Sequence, residues 1–514
     1  MRSLGARKYI RIKLRGTDFT WFGVEGGWTP WPMSSWAGVA SAALGAVAAA
    51  WYVAIWSVCL LGWSVAYKLF GNPWPRPPVD SEQSEEAQVP GVSILRPLAG
   101  LDSNLHTNLS SSFEMAYPLS RFEVILSVAT ENDQALRVAR QVAAQYPHVQ
   151  STIMVGDAEA GVNPKVNNLV RPYAAAQHDI VWVVDSQVWL PPNALARAVD
   201  ALHTAPPVPA PALLGRPPHG ERVGMVHHVP LGVLPANTWA SHVERVFLST
   251  THAKMYLAIN AVAIDSCVMG KSNMYRRSDL ERVPDSFFGR AQQGMIGSRA
   301  FETHGDRVDD VVQGSARPLA RFGIYLAEDN MLAMSLWRQP LQLAHRIAPG
   351  DVAHVAVGDI KTLGEYSRRR MRWIRVRRHM VPAATYLEPF TESLVAGVCG
   401  WIAVYEWILK PWFGALYGSA FRVAFVIFMT LHLVAWYHVD VGVLTSLRCG
   451  EPLPDVERRF FFGAWVLREL LALPIWVWAM SGSTVTWRNQ RYRILSDARA
   501  APAEGDASAP LMSD

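Results

Sequence analysis

Between residues 32 and 67 the chain carries no charged side chain at all. A run of that length exceeds the roughly 20 apolar residues that a helix needs to cross a bilayer. It starts too late and runs too long for a cleaved leader, so a retained transmembrane anchor over 36–67 is expected. Trp36, Trp51, Trp56 and Trp63 supply aromatics of the kind that settle at membrane boundaries. Residues 1–35 ahead of it are basic at the start and rich in Trp and Gly later. Residues 68–91 behind it, with prolines and then Glu82, Glu85 and Glu86, read as a solvated linker. Three further apolar runs, 393–409, 423–437 and 460–480, put more membrane helices into 381–485. The first two are short enough to be re-entrant or tilted. Glu406, Arg422, Arg468 and Glu469 fall in or beside these runs, where charges are costly and either pair with one another or meet a lipid head group.

The rest of the chain is long enough for one sizeable soluble domain, placed at 92–380. Its centre is Ile180-Val181-Trp182-Val183-Val184, an unbroken apolar run that ends on Asp185. Such a run predicts a strand covered on both faces, as in a parallel sheet. Strands are also expected at 92–98 (stopped by Pro97), 122–128 and 150–155, with helices over 135–145 and 169–176. That alternation predicts a doubly wound α/β sheet. Ligands in open α/β sheets sit beyond the carboxyl ends of the strands, which is where Asp133 and Asp185 fall. A lone acid there suits Mg²⁺ or Mn²⁺ holding a diphosphate, or simply a turn-forming Asp at a strand end. Lys165, near the same edge, is either a phosphate neutraliser or an ordinary exposed lysine.

Composition narrows the partners. The net charge of +5 and pI near 9.0 suit an anionic membrane surface or a phosphorylated substrate, and are too mild for nucleic acid. Cys59, Cys267, Cys399 and Cys449 are scattered and form no disulfide framework, which points to a reducing compartment.

Several motifs occur in a fixed order: VSILRPLAGLD (92–102), NPKVNNLV (163–170), VWVVDS (181–186), GMVHHVP (224–230) and INAVAIDSCVMGKS (259–272). YLAEDNMLAMSLW (325–337), RRMRW (369–373) and WRNQRYR (487–493) follow. Together they resemble the ceramide glucosyltransferases, membrane enzymes with a GT-A-like nucleotide-sugar domain. The resemblance implies transfer of glucose from UDP-glucose to ceramide with inversion, at the Golgi, with the catalytic domain facing the cytosol. It matches Asp133, Asp185 and Asp329 to the three family aspartates. It also matches Arg369, Arg372 and Trp373 to the (Q/R)-x-x-R-W signature. Pro97, Lys165, His227, Cys267 and Glu328 lie in the shared motifs as substrate-binding candidates.

Sugar transfer from a nucleotide diphosphate needs a held nucleotide, a stabilised leaving group and a base for the acceptor hydroxyl. Asp133 would accept from uracil or ribose, and Asp185 would hold the divalent cation. Asp329 would be the general base, although acids at a helix start are also favoured by its dipole. Arg372 would grip diphosphate, with Trp373 near the sugar or acceptor. Two departures stand out. Asp185 is followed by Ser186-Gln187, so the second acid of a D-x-D clamp is missing, leaving His227 or His252 as possible helpers. Residues 206–220 and 289–314 look like inserted surface loops.

The seven arginines of 368–378 read as a basic helix on the membrane surface, with Arg375 and Arg377 as attachment points. Charge bias does not orient the chain, because the basic N-terminus and this cluster oppose each other. The tail 486–514 is polar and, after Arg493, expected to be disordered. The rival readings are a processive polysaccharide synthase, a transferase acting on dolichyl phosphate, and a catalytically silent membrane scaffold.

Overall fold

The computed structural model describes residues 9–14, 17–22, 36–75, 89–204, 222–288, 310–487 and 490–503. The chain separates into two units, Met1–Tyr52 with Val398–Phe428, and Val53–Gly397 with Met429–Asp514. In the smaller unit, β1 (Tyr9–Leu14) and β2 (Thr17–Phe22) form an antiparallel hairpin. Glu406 there accepts from Lys410 Nζ (2.8 Å) and from the Ser41 hydroxyl, so this intramembrane acid is paired. Trp401 packs edge-on to Phe421 and Phe425.

The larger unit is built on one eight-stranded sheet. Its strands are β3 (Val92–Leu98), β4 (Phe122–Val128), β5 (Ser151–Val155), β6 (Ile180–Val184), β7 (Val188–Trp189), β8 (Val223–Val233), β9 (Ser272–Arg276) and β10 (Ala344–Ala356). Across the sheet the order is β5-β4-β3-β6-β9-β8-β10-β7. The first four are parallel, β9 is antiparallel to both β6 and β8, and β10 is parallel to β8. The sheet is therefore mixed. The apolar run of β6 reports only that both faces are covered, which holds whichever way its neighbour runs. Pro97 does not stop β3, which continues to Leu98 beside β4. The pairing with β6 ends earlier, at Leu95↔Val183, so the missing N–H of Pro97 interrupts no ladder on that side.

Helices form over Ala135–Gln145 and Pro164–Ala175, the second starting five residues earlier than the apolar pattern suggested because Asn163 caps it. A 3₁₀ turn (Arg321–Ile324) leads into the helix Glu328–Trp337. After the membrane helices come β11 (Thr484–Trp487), β12 (Gln490–Ile494) and β13 (Ala500–Pro502), an antiparallel sheet. This corrects the expectation of a disordered tail through residue 503. Val485, Tyr492 and Ile494 are buried in the same hydrophobic core as Leu332 and Met334. Of the expected loops, 206–220 and 289–309 of 289–314 lie outside the described residues, as do most of the linker and 504–514; the rest of the second expected loop contains a short helix, Asp310–Gln313.

Among the described residues, four helices are long and apolar enough to cross a membrane: Ala40–Phe70, Ser393–Phe413, Gly418–Leu447 and Asp455–Met480. Within them, Arg468 pairs with Glu392 (2.6 Å) and Glu469 (2.7 Å), and Asp440 with Lys254 (2.7 Å).

Candidate active site

The carboxyl ends of β3, β4 and β6 converge on one edge. Arg96 is fully buried within β3 and donates to the Ser186 and Val188 carbonyls (3.3 and 3.0 Å) and to the Asn108 carbonyl (3.1 Å). It thereby fixes the turn immediately after Asp185, and burial lowers its pKa to about 9. The Ser186 hydroxyl donates to Asp102. Asp133 accepts from the backbone N–H of Gly100 (2.9 Å) and of Ala135 (2.9 Å), clasping the loop after β3 to the helix after β4.

The NPKVNN segment works as a set of ties. The Asn163 side chain accepts from the Lys165 and Val166 N–H groups and donates to the Tyr325 carbonyl (2.8 Å) and Glu328 (2.8 Å). Asn168 donates to Leu98 and Ser127 carbonyls at the ends of β3 and β4 (3.0 and 3.2 Å). Lys165 Nζ is thus delivered between Asp185 (2.9 Å) and Glu328 (3.0 Å).

Because β9 runs antiparallel to β6, the residue before β9 lies beside the residue after β6. That residue is Lys271, whose Nζ reaches the other oxygen of Asp185 at 2.8 Å. Burial alone would raise the Asp185 pKa, but the two lysines hold it at about 2. Asp329 packs against Gly270; a Cβ built there would stand 2.7 Å from Asp329 Oδ2, so the close approach requires glycine. Burial, then the charge of Glu328, pushes Asp329 up to about 7, which is the range a general base needs near neutral pH.

His227 is fully buried on β8, with Nδ1 2.6 Å from the Tyr256 hydroxyl, which in turn accepts from the Met269 N–H (3.3 Å). It supports the loop carrying Gly270 and Lys271 from behind, and burial keeps it neutral. His252 stacks on Tyr256 at 5.4 Å. Cys267 lies in the same loop, its carbonyl accepting from Asn260 (2.8 Å) and its thiol pushed up to about 11 by burial.

The helix Leu363–Arg377 starts on a capping box between Thr362 and Glu365. Arg369 donates to buried Glu244 (2.9 Å). Arg372 lies 5.8 Å from the Trp487 ring and makes no ion pair among the described residues; burial lowers its pKa to about 10, so it stays charged. Both arginines line a cleft of about 600 Å³ whose other walls include Asp102, Gln187, Asp359 and Thr486. Trp373 does not line this cleft and packs edge-on to Phe247 (6.1 Å).

Arg375, expected as a membrane-surface contact, is bonded to backbone. It donates to the Trp478 and Ala479 carbonyls (3.0 Å each) and the Thr484 carbonyl (2.6 Å), closing the end of the helix Asp455–Met480. Arg377 pairs with Glu388. Arg375→Ala should therefore cost about 2 kcal/mol in thermal unfolding, since three carbonyls lose a charged donor, and leave UDP affinity unchanged, since Arg375 does not line the cleft.

Residues 47–284 and 318–500 match the family model for glycosyl transferase family 21. The chain belongs to that family. Among its relatives, a ceramide glucosyltransferase of Komagataella phaffii is 35% identical, covering 89% of this chain and 91% of its own length. One from Candida albicans is 29% identical over 82% of this chain and 89% of its own. "Ceramide glucosyltransferase 1" of Caenorhabditis elegans is 24% identical over 82% and 75%. A solved mannosyltransferase from Pyrobaculum calidifontis, in complex with GDP-Man and Mn²⁺, covers 79% of this chain and 98% of its own at 16% identity and a TM-score of 0.40.

In this family 21 chain the residues around Asp185 do not suit a divalent cation as arranged. Both carboxylate oxygens accept from ammonium groups, and a cation would have to displace one of them. Among the described residues, no three His, Cys, Asp or Glu side chains are grouped to hold a metal. Sequence reasoning missed Lys271, Arg96 and Asn163. The first carries its signal only in strand direction, and the other two look like ordinary strand and turn residues.

Proposed function

We propose that this family 21 chain transfers glucose from UDP-glucose to the primary hydroxyl of ceramide with inversion, giving β-glucosylceramide and UDP. The observation that carries the reading is one buried acid, Asp329, pushed up to about 7 and packed against Gly270 in the loop that carries Lys271, on a domain whose cleft is lined by Arg369 and Arg372. Its relatives named ceramide glucosyltransferases support the lipid acceptor, and four helices of spanning length suit one that resides in a membrane.

In this reading Asp329 removes the proton from the acceptor hydroxyl as its oxygen attacks C1 of the sugar. The bond from C1 to the β-phosphate oxygen breaks, and its electron pair stays on the diphosphate. Lys165, Lys271, Arg369 and Arg372 meet that charge in a dry site, where fixed cations act most strongly. Displacement by one oxygen with one base inverts the anomeric centre. Asp133, as a clasp between two site loops, shapes the nucleotide's seat. The family resemblance carries over a Golgi membrane and a catalytic domain facing the cytosol.

The deciding experiment gives the purified protein ceramide and a panel of UDP-sugars and reads the lipids by mass spectrometry. β-Glucosylceramide formed from UDP-glucose is expected. Product only on dolichyl phosphate, a polysaccharide, or no turnover of any donor would overturn the reading. Lys271→Met should weaken UDP binding about tenfold in calorimetry, the loss of one charged contact. Wild-type UDP affinity should change little in EDTA; collapse of binding there would return Asp185 to the role of metal ligand.

A further inference from the structure

The helix Asp455–Met480 has the length and composition of a membrane span, about 39 Å at 1.5 Å per residue. Its contacts do not suit a crossing. In its first turns Glu457 pairs with Arg245 (2.7 Å), and Phe460 stacks on His242 at 5.6 Å. Midway, Arg468 is buried against Glu392, and Trp476 donates to the Thr385 carbonyl (2.9 Å). At its end the last carbonyls are held by Arg375. A helix crossing the roughly 30 Å hydrocarbon layer would carry one end away from the domain that holds the other. Here both ends, and the middle, are bonded to the segment that runs from the β-sheet domain to Glu392.

Chain parity gives a second, independent argument. Helices Ser393–Phe413, Gly418–Leu447 and Asp455–Met480 lie between Tyr366, buried in the catalytic domain, and Val485, buried in its core. Three crossings would leave Val485 on the opposite side of the membrane from the core it fills. Two crossings bring the chain back, and the first two helices form the pair that goes out and returns. Ser393, at the start of one, accepts through its carbonyl from His432 in the other (2.9 Å). Asp440, further along the second helix, is already back beside Lys254.

The surface of Asp455–Met480 agrees. Phe462, Val466, Leu470, Leu473 and Val477 are exposed, at steps of four, four, three and four residues, which is one face of an α-helix. Phe461, Trp465, Arg468 and Glu469 are buried on the other. Arg458 and Arg459 sit exposed at its start. An apolar stripe on a helix fastened along a soluble domain is the form of a helix lying in the membrane interface, its stripe sunk about 5–10 Å among the acyl chains.

We propose that Asp455–Met480 lies in the plane of the bilayer surface, with the Phe462–Val477 stripe facing lipid, and does not cross the membrane. The helix is then a ledge that seats the catalytic cleft at head-group level. Arg375 joins this ledge to the helix bearing Arg369 and Arg372.

The test is site-directed spin labelling of the full chain in phosphatidylcholine–phosphatidylserine nanodiscs. Labels go singly at Phe462→Cys, Leu470→Cys and Val477→Cys, in a Cys449→Ser background because Cys449 is exposed. All three positions face outward, so the fold is not challenged, and thermal unfolding of each labelled protein checks this. Oxygen and nickel-chelate accessibility should report the same shallow depth at all three sites. A label at Leu470 near the bilayer centre, with 462 and 477 near opposite surfaces, would overturn the proposal. Protease accessibility of a tag after residue 503 from the same side as the catalytic domain is expected too; protection there would equally overturn it. Neither readout depends on which sugar or lipid the enzyme uses.

Discussion

Asp329→Asn should lower turnover by about three orders of magnitude while leaving UDP-glucose affinity within about threefold, as expected for loss of a general base acting on the acceptor. The amide keeps the size of the side chain beside Gly270 but cannot take the hydroxyl proton. In the parent enzyme the acid must be ionised to work. With its pKa pushed up to about 7, kcat should rise through pH 6 to 8 and level off above, falling as the carboxyl is protonated below. The sign for stability is opposite. A carboxyl whose folded pKa is raised favours the folded state most when protonated and disfavours it as pH climbs through about 7. Asp329→Asn should therefore melt no earlier than the parent at pH 8. Loss of UDP-glucose binding in calorimetry would reassign Asp329 to the donor, and a flat pH profile would contradict its environment.

Asp440→Ala should destabilise the detergent-solubilised protein by about 3–5 kcal/mol, enough to prevent accumulation of folded protein in cells. Lys254 and Asp440 are both fully buried, 2.7 Å apart. Lys254 also lies over the Trp436 ring (4.3 Å), and Asp440 accepts from Trp465 (2.8 Å). Removing the acid strands an ammonium in an apolar surrounding, whereas removing both charges does not. The double change Lys254→Met, Asp440→Leu should therefore recover most of the loss in a thermal unfolding series. A double variant as unstable as the single would show that the charges themselves, rather than their burial, stabilise this junction.

Much of the architecture was legible because it depends on periodicity. The strands at 122–128 and 180–184 and the helix at 135–145 fall where the apolar pattern put them. Asp185, Lys165, Glu328 and Asp329 are brought together, as the motifs containing them implied. What pattern could not convey was direction and pairing. Nothing local in Gly270-Lys271-Ser272 says that β9 is antiparallel, yet that is what sets Lys271 against Asp185 and alters the metal argument. Likewise a cluster of arginines looks the same whether it meets lipid or carbonyls. Arg375 is committed to Ala479 and Thr484, more than a hundred residues away, which no window of sequence displays. The tail was misjudged because its strands are short and its large buried side chains are few: Val485, Tyr492 and Ile494, beside the small Ala498 and Ala500. So few large apolar residues are a faint signal until the core they complete is known.

That late-arriving sheet has a consequence for how the protein is made. Ribosomes add about 5–20 residues per second, so roughly a hundred residues of membrane helix occupy several seconds between the catalytic domain and β11. Throughout that interval the surface later covered by Val485, Tyr492 and Ile494 stays open to water. The domain that emerges first waits for the segment that emerges last, and nascent chains halted before it should be held by chaperones and degraded rather than released.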